Sequence, residues 1–275
     1  MIAQTKKVGD IAVTALSDGR LATSLDVVLG MDRTEAARLV GTTGSDVHIA
    51  VNAFLLKLSG RWALIDAGAG NSMGPTLGRL ADNLRAFGVA PHEIAAVFLT
   101  HIHPDHSNGL VDASGHAVYP NAELIVHEAE ARFWLDRDEA SGANERIRRN
   151  IAKAAVTTAP YRQRLRTVRE GEAMAGVASV ALPGHTPGHT GWLIASGKES
   201  LLIWGDLVHL ASVQVARPDT GLVFDVDPQQ ACATRRRTFD RMAADRLVVG
   251  GAHMDFPGFG TIVRRGSGFA FEPEA

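Results

Sequence analysis

Between Thr100 and Leu110 the chain reads T-H-I-H-P-D-H-S-N-G-L. Four side chains able to hold a metal, His101, His103, Asp105 and His106, fall within six residues of it. The apolar run Ala95-Ala96-Val97-Phe98-Leu99-Thr100 comes just before and has the pattern of a buried strand. In an extended segment side chains two apart point the same way, so His101 and His103 can face one metal together. Pro104 fixes its own backbone angle and restrains His103, which predicts that the strand ends there. Asp105 and His106 then lie on the turn and face a neighbouring position. One short peptide thus offers half of each of two adjacent metal sites.

Three later strand ends carry the remaining ligand types. Pro183-Gly184-His185-Thr186-Pro187-Gly188-His189-Thr190 holds two histidines on a glycine-proline loop, Gly205-Asp206 follows an apolar run, and Gly250-Gly251-Ala252-His253 follows another. Glycine at such points allows sharp turns and close backbone approach. A donor set of nitrogen and oxygen, mostly imidazole, suits zinc, and would also accept manganese, iron or cobalt. Two metals roughly 3.5–4 Å apart can share a water and hold it as hydroxide at neutral pH, for attack on a carbonyl carbon or phosphorus. Asp105 could additionally orient that nucleophile. No Ser-His-Asp set or Gly-x-Ser-x-Gly elbow competes for the role. His48, His92, His116 and His127 have no motif around them and read as surface or structural residues.

The elements that must position these residues follow from periodicity and punctuation. Ile11 to Leu16 reads as a strand stopped at Ser17-Asp18-Gly19. The stretch of residues 20–48 shows no clean strand period and contains one short capped helix at Asp32-Arg33-Thr34-Glu35; it is either a lid or an added surface layer. Val51 to Leu58 and Arg61 to Asp66 flank Ser59-Gly60 as a hairpin. Asp66, at the end of that hairpin, either caps the following loop or braces the histidine loop. Leu77, Leu80, Leu84 and Phe87 recur at helical spacing, with Gly88 as the stop. Ala122 to Val126 is a strand leading into a charge-rich helical region from about Glu128 to Arg166. Its cluster Arg146, Arg148, Arg149 and Lys153 reads as a solvated face. Phe133, Trp134 and Tyr161 are core residues or pocket residues. Strands at Ala178 to Leu182, Trp192 to Ala195, Leu201 to Trp204 and Leu247 to Gly250, a helix at Pro228 to Ala244, and a closing hairpin at Thr261 to Phe271 complete the chain. Packed sheets with helices outside, in a single domain over residues 1–275, are expected.

Composition removes several classes. With 45% hydrophobic and 21% charged residues the chain is not mainly disordered. A formal net charge of −2 gives no electrostatic case for nucleic acid or an anionic membrane. Cys232, the one cysteine, excludes an internal disulfide and a multi-cysteine zinc site. Met1 to Lys7 lacks the apolar core of a signal peptide, and no apolar run approaches the roughly 20 residues of a membrane span. The expectation is a cytoplasmic enzyme whose partner is a small-molecule substrate, as a monomer or a homodimer.

Taken together, His101-Ile102-His103-Pro104-Asp105-His106, Gly184-His185-Thr186-Pro187-Gly188-His189, Gly205-Asp206, His253 and Ile65-Asp66-Ala67-Gly68 resemble the metallo-β-lactamase-fold hydrolases over nearly the whole chain. The resemblance implies an α+β fold, an αβ/βα sandwich of two mixed sheets with the metals at one edge between them. It implies His101, His103 and His185 on a first metal, Asp105, His106 and His253 on a second, Asp206 bridging both, and His189 outside the ligand set. Asp66-Ala67-Gly68-Ala69-Gly70, Trp204-Gly205-Asp206-Leu207-Val208-His209 and Gly251-Ala252-His253-Met254-Asp255-Phe256-Pro257-Gly258 further resemble the methyl parathion hydrolase-like and lactonase-like members. That group is associated with phosphotriester, aryl ester and lactone hydrolysis. Quorum-quenching lactonases share the metal set but have Tyr where this chain has His209. True β-lactamases of the fold lack the bridging Asp, so Asp206 argues against that activity. The reading is a dinuclear metal hydrolase of neutral esters, lactones or phosphotriesters, including an N-acyl homoserine lactone lactonase. A glyoxalase II-like thioesterase, an iron-dependent sulfur dioxygenase, a diiron redox partner, a nuclease and a non-enzymatic binding module rank behind it. Phe256, Pro257 and Phe259 are expected to form an apolar mouth, with few positive charges near it. His209, three residues past Asp206, is expected at the rim, as a hydrogen-bond donor to the substrate or packed between Val208 and Leu210.

Overall fold

The computed structural model describes residues 2–136 and 144–274, apart from the side chain of Glu172. Its first half contains β1 (Ala3–Val8), β2 (Ile11–Ser24), β3 (Val28–Leu29), α1 (Arg33–Val40), β4 (Asp46–Leu58), β5 (Arg61–Ile65), α2 (Leu80–Ala86) and β6 (Ile94–Phe98). The short turn of helix α3 (Pro104–Ser107) follows, then β7 (Glu123–His127), α4 (Glu128–Leu135), α5 (Glu145–Thr158) and β8 (Leu165–Val168). The second half runs β9 (Gly171–Met174), β10 (Val177–Ala181), β11 (Thr190–Ser196), β12 (Glu199–Ile203), α6 (Ala211–Gln214) and β13 (Gly221–Leu222). It closes with α7 (Pro228–Asp245), β14 (Val248–Gly250), β15 (Phe259–Arg265) and β16 (Gly268–Pro273).

Two seven-stranded mixed sheets result, in the orders β1-β2-β4-β5-β6-β7-β8 and β16-β15-β14-β12-β11-β10-β9, with β13 and β3 paired separately. The expected α+β sandwich is what forms. Both sheets bury both faces, which is why their central strands read as unbroken apolar runs. In β4, Phe54 and Leu56 point into the layer between the sheets, against Trp192, Ile203 and Phe259. Leu55, between them, points outward to the layer under α2, α4 and α5 with Leu84, Trp134 and Tyr161. On the far side α7 covers Leu202, Trp204 and Val249 with Phe239 and Met242. Phe98 and Trp192 meet edge to face across the sheets at 5.0 Å; such pairs add about 0.5–1.5 kcal/mol beyond the area they bury.

One expectation about the N-terminal half needs correction. Ser17-Asp18-Gly19 does not stop a strand: β2 continues through it with a bulge and pairs with β4 as far as Ser24–Asp46. Asp18 is fully buried at that bulge and accepts backbone N–H groups of Ala69, Gly78 and Leu80. A polar triplet reads as a turn locally, yet here the carboxylate stitches the loop after β5 onto the sheet. Burial raises its carboxyl above the ordinary value, opposed by those three donors. The residue 20–48 stretch is likewise ordered by packing. Leu25, Val27, Ala36, Val47 and Ile49 form a cluster with Leu210, Val213 and Leu222, and β3 pairs with β13. The helical region predicted from Glu128 to Arg166 is α4, α5 and a 3₁₀ turn over Ala159–Arg164; residues 137–143 of it lie outside the described residues.

Candidate metal centre

The strands deliver the ligand residues to one edge. β5, β6 and β7 run parallel, as do β12 and β14. Asp66 follows β5, His101 follows β6, Asp206 follows β12 and His253 follows β14, all at carboxyl ends, while His185 lies on the loop from β10 to β11. Two glycines make the approach possible. Gly205 has φ +55°, and a Cβ there would sit 2.6 Å from His189 Nε2 and 2.8 Å from Thr100 Cβ. Gly188 abuts the Glu130 backbone so closely that a Cβ would lie 2.1 Å from its nitrogen.

The seven residues expected as ligands converge in two groups. His101, His103, His185 and Asp206 form one, and Asp105, His106, Asp206 and His253 the other; within each, the ligand atoms lie within 4.8 Å of one another. Asp206 belongs to both through different oxygens. Its Oδ2 is 3.5 Å from His101 Nε2 and 3.2 Å from His185 Nε2. Its Oδ1 is 3.0 Å from His106 Nε2 and 3.1 Å from His253 Nε2. Asp105 Oδ2 completes the second group at 3.6 Å from His106 Nε2 and 3.5 Å from His253 Nε2.

Outer hydrogen bonds decide which imidazole nitrogen faces inward. His106 Nδ1 is bonded to Asp66 Oδ2 at 2.8 Å, His185 Nδ1 to Asp225 Oδ1 at 2.9 Å, and His253 Nδ1 to the Ala50 carbonyl at 2.8 Å. His101 Nδ1 meets Thr100 Oγ1 at 3.0 Å, and that hydroxyl donates to Asp66. Each bond places the proton on Nδ1 and leaves the Nε2 lone pair for the centre. His103 is turned the other way, its Nδ1 lying 3.1 Å from His101 Nε2 and 2.8 Å from His185 Nε2. Asp66 therefore braces the histidine loop: it also accepts the Thr100 backbone N–H at 2.8 Å.

This donor set fits two divalent ions. His106 Nε2, His253 Nε2 and Asp206 Oδ1 are buried yet have no hydrogen-bond partner. Their close approaches lack hydrogen-bond alignment and point at a shared place instead. Buried polar atoms without partners are costly unless something occupies that place. Charge agrees: Asp66, Asp105, Asp206 and Asp225 bring four negative charges, the balance of two divalent ions with neutral histidines. Burial alone would raise the Asp206 carboxyl, but in the metal-free protein the positive charge taken up by His106 and His253, whose imidazoles Asp206 raises, holds it well below the usual carboxylate range, the place that metal charge would fill.

His189 stands outside both groups. Its Nδ1 donates to the Leu182 carbonyl at 2.8 Å and its Nε2 accepts the Asp206 backbone N–H at 2.9 Å. Burial pushes its imidazole down to about 3, consistent with a neutral ring fixing the backbone of Asp206. His209 is not at an exposed rim. It is 5% exposed, stacked on His253 at 4.9 Å, with Nε2 2.9 Å from Asp206 Oδ2. His48, His92 and His116 are exposed, and His127 caps α4 by accepting the Ala129 N–H.

A cavity of about 150 Å³ opens onto the centre, lined by Leu21, Met73, His103, Pro104, Asp105, Arg146, Asn150, His185, Asp206, His209 and Phe224. Its apolar wall is not the expected one. Phe259 is 3% exposed in the core between the sheets, and Phe256 packs against that core; Phe224, Leu21 and Met73 take the place at the mouth. Arg146 also departs from the expected solvated face, because α5 turns it into this cavity, where Nη1 donates to the Phe224 carbonyl at 2.9 Å. A larger cleft of about 510 Å³ flanks α5 near Asn71 and Val156 and contains none of the seven converging residues.

Three bracing residues were not singled out for the site from sequence: Asp18, Glu130 and Asp225. Glu130 is wholly buried and accepts from Ile102 N, Trp134 Nε1, Thr186 Oγ1 and Gly188 N, tying the two histidine loops together. Burial raises its carboxyl, against the pull of those four donors. The one sequence signal available was an acid in the first turn of a helix directly after a strand, which is too common to single out. Glu130→Gln keeps the shape but turns an amide N–H₂ toward a donor. The expected cost is about 1.5–3 kcal/mol for each charge-assisted bond lost, read as a lower midpoint in denaturant unfolding; an unchanged midpoint would show that the four bonds contribute little.

The family model for the metallo-β-lactamase superfamily matches residues 47–251. Of the solved structures, "hydrolase AbOPH in beta lactamase superfamily" is 31% identical, with a TM-score of 0.93 over 99% of this chain and 97% of its own. AidC, described as a dizinc quorum-quenching lactonase in complex with the product N-hexanoyl-L-homoserine, is 26% identical, with a TM-score of 0.93 over 100% and 98%. A probable metal-dependent hydrolase from Staphylococcus aureus shares the fold at 19% identity, with a TM-score of 0.83 over 98% and 99%. Among curated proteins no sequence matches. The chain belongs to the metallo-β-lactamase superfamily, and it is a hydrolase of that fold with side chains placed to hold metal ions. No helix among the described residues is long and apolar enough to cross a membrane.

Proposed function

We propose that the protein is a dinuclear metal hydrolase of neutral esters, lactones or phosphotriesters, with an N-acyl homoserine lactone among the substrates to test first. The observation that carries this reading is Asp206, whose two oxygens each serve one ligand group. His101, His103 and His185 would hold one ion and Asp105, His106 and His253 the other, zinc being the best match to such donors. Bound there, the ions would acidify a shared water and polarise the carbonyl or phosphoryl oxygen. The chain's own residues do the rest. Asp66, Asp225 and the Ala50 carbonyl hold the imidazole tautomers, and Asp105 would orient the nucleophile. Leu21, Met73 and Phe224 exclude water around an apolar substrate group. The lactone reading draws on the similarity to AidC. A panel of lactones, aryl esters and phosphotriesters on metal-analysed protein tests it; turnover of none of them by protein holding two metals would overturn it.

His209 is assigned to the substrate oxygen. Burial lowers its imidazole, with Asp206 opposing, so a neutral ring with one N–H is expected at pH 7. That N–H, on Nε2, lies over Asp206 Oδ2 and can pass to an oxygen entering the cavity beside it. His209→Ala is expected to lower kcat about tenfold, below the roughly 10²–10³ of a fully formed oxyanion donor, because the donor is shared with Asp206. Metal content should hold, and His209→Gln should recover part of the loss. Full kcat in the alanine variant would make the residue structural, and loss of metal would make it a support for Asp206.

A further inference from the structure

Arg235 of α7 and Gln214 of α6 are both fully buried, and both direct their hydrogen bonds to main chain beside the metal centre. Arg235 Nε donates to the Leu207 carbonyl at 2.7 Å, one residue past Asp206. Its Nη1 donates to the carbonyls of Pro218 and Thr220, both at 2.8 Å. Gln214 Oε1 accepts the backbone N–H of His209 at 2.8 Å and of Leu210 at 3.2 Å, and its Nε2 donates to the Thr220 carbonyl at 3.3 Å. From Thr220 the chain passes through β13 to Asp225. The Oδ2 of Asp225 accepts the Leu222 N–H at 2.9 Å, and its Oδ1 meets His185 Nδ1.

A charge kept inside a protein is unfavourable unless hydrogen bonds or an opposite charge meet it. Burial lowers the Arg235 guanidinium, and the Asp225 carboxylate is foremost in opposing this. A neutral donor could satisfy any one of the three carbonyls without that cost. The guanidinium differs in being a rigid planar fork, so Nε and Nη1 fix the distance between the two segments they hold. One segment carries Asp206 and His209, and the other leads to the brace of His185. Resting on the proposed pair of metals, we infer that Arg235, with Gln214, is a positioning residue. It keeps the Asp206 carboxylate in register with His185, so that His101, His103, His185 and Asp206 close on one ion. The other group depends on it only through Asp206, because His106 is held by Asp66 and His253 by the Ala50 carbonyl.

The experiment measures stepwise zinc affinities of the full chain by competition with a chelator. Asp225→Ala removes the His185 brace and so marks which of the two constants belongs to the His185 group. Arg235→Lys keeps the charge but not the fork, and should weaken that constant roughly tenfold, the low end for a residue that orients a metal ligand, with a smaller change in the other. Gln214→Met, with Arg235 in place, should weaken the same constant, and it carries the test if the Arg235 variant does not fold. Met242→Ala, in the core under α7, is the control and should lower the melting temperature while leaving both constants unchanged. In the double variant with Asp225→Ala the loss from Arg235→Lys should shrink, since both act on His185. Losses that multiply, equal losses at both ions, or wild-type constants in both Arg235→Lys and Gln214→Met would each overturn the role. Amide hydrogen exchange of the zinc-loaded protein reads the positioning without a count of ions. In Arg235→Lys the His209, Leu210 and Leu222 amides should lose protection by roughly tenfold, while those of β11 keep theirs. If wild type holds one ion in place of two and these amides still lose protection, the two-metal reading fails and the positioning role stands. Unchanged protection at all three amides would overturn the role itself.

Discussion

Asp206→Asn is expected to cut kcat/KM by about 10³-fold, because metal stabilisation of transition-state charge is worth several kcal/mol and each ~1.4 kcal/mol is tenfold. The size of the effect follows from geometry. Oδ1 faces His106 and His253 while Oδ2 faces His101 and His185. An amide in this place offers one acceptor oxygen and turns an N–H₂ toward the other ligand group. It also removes one of the four negative charges that balance two divalent ions, so repulsion between the ions rises. The variant should fold, since Gly205 still turns the chain and His189 still accepts the residue's backbone N–H. Metal analysis should find fewer than two ions per chain. A variant with two ions and wild-type turnover would falsify the bridging role.

Stripping the metals should lower the melting temperature by about 8 °C or more. Ligand that binds only the folded state, at a thousandfold over its dissociation constant, adds about 4 kcal/mol; for a chain of this size each 1 kcal/mol moves the midpoint by about 2–4 °C. The same structure says why the apo protein should suffer. Without ions, the buried Nε2 atoms of His106 and His253 and Oδ1 of Asp206 have no partner, and four carboxylates repel one another at one sheet edge. The shift should reverse on adding back zinc and be absent in a protein whose ligands have been removed by substitution. Equal midpoints for the apo and metal-loaded forms would mean that the histidines hold no metal.

What the sequence determined was the set of residues that converge at the sheet edge, and the layering. His101, His103, Asp105 and His106 are legible because they are crowded into one peptide, and crowding of this kind does not depend on the rest of the fold. His185, Asp206 and His253 are legible because each follows an apolar run, and a strand end at a sheet edge is a local property. The sheets were legible for the same reason: runs such as Ala53 to Leu56, buried on both faces, have no other use in a chain of this composition.

Tertiary structure alone decided how those residues are held and what stands opposite them. The Ser17-Asp18-Gly19 triplet has the chemistry of a turn, and only the loop after β5, supplying three backbone donors, makes it a bulge in a continuous strand. Glu130 and Asp225 are separated from the histidine loops they brace by tens of residues, 56 between Glu130 and Thr186 and 40 between His185 and Asp225. Nothing local marks them, because an acid in a charged stretch looks the same whether it faces water or a buried donor. Arg146 is the sharpest case. On a helix with neighbours Arg148 and Arg149 it reads as one solvated charge among several, and its direction depends on how α5 lies against the first sheet. Phe256 and Phe259 were drawn the other way, into the core, leaving Phe224 at the mouth. Spacing along the chain fixes which atoms can reach a metal, whereas the rotation of a helix about its axis, set by packing partners far away in sequence, fixes what a substrate meets.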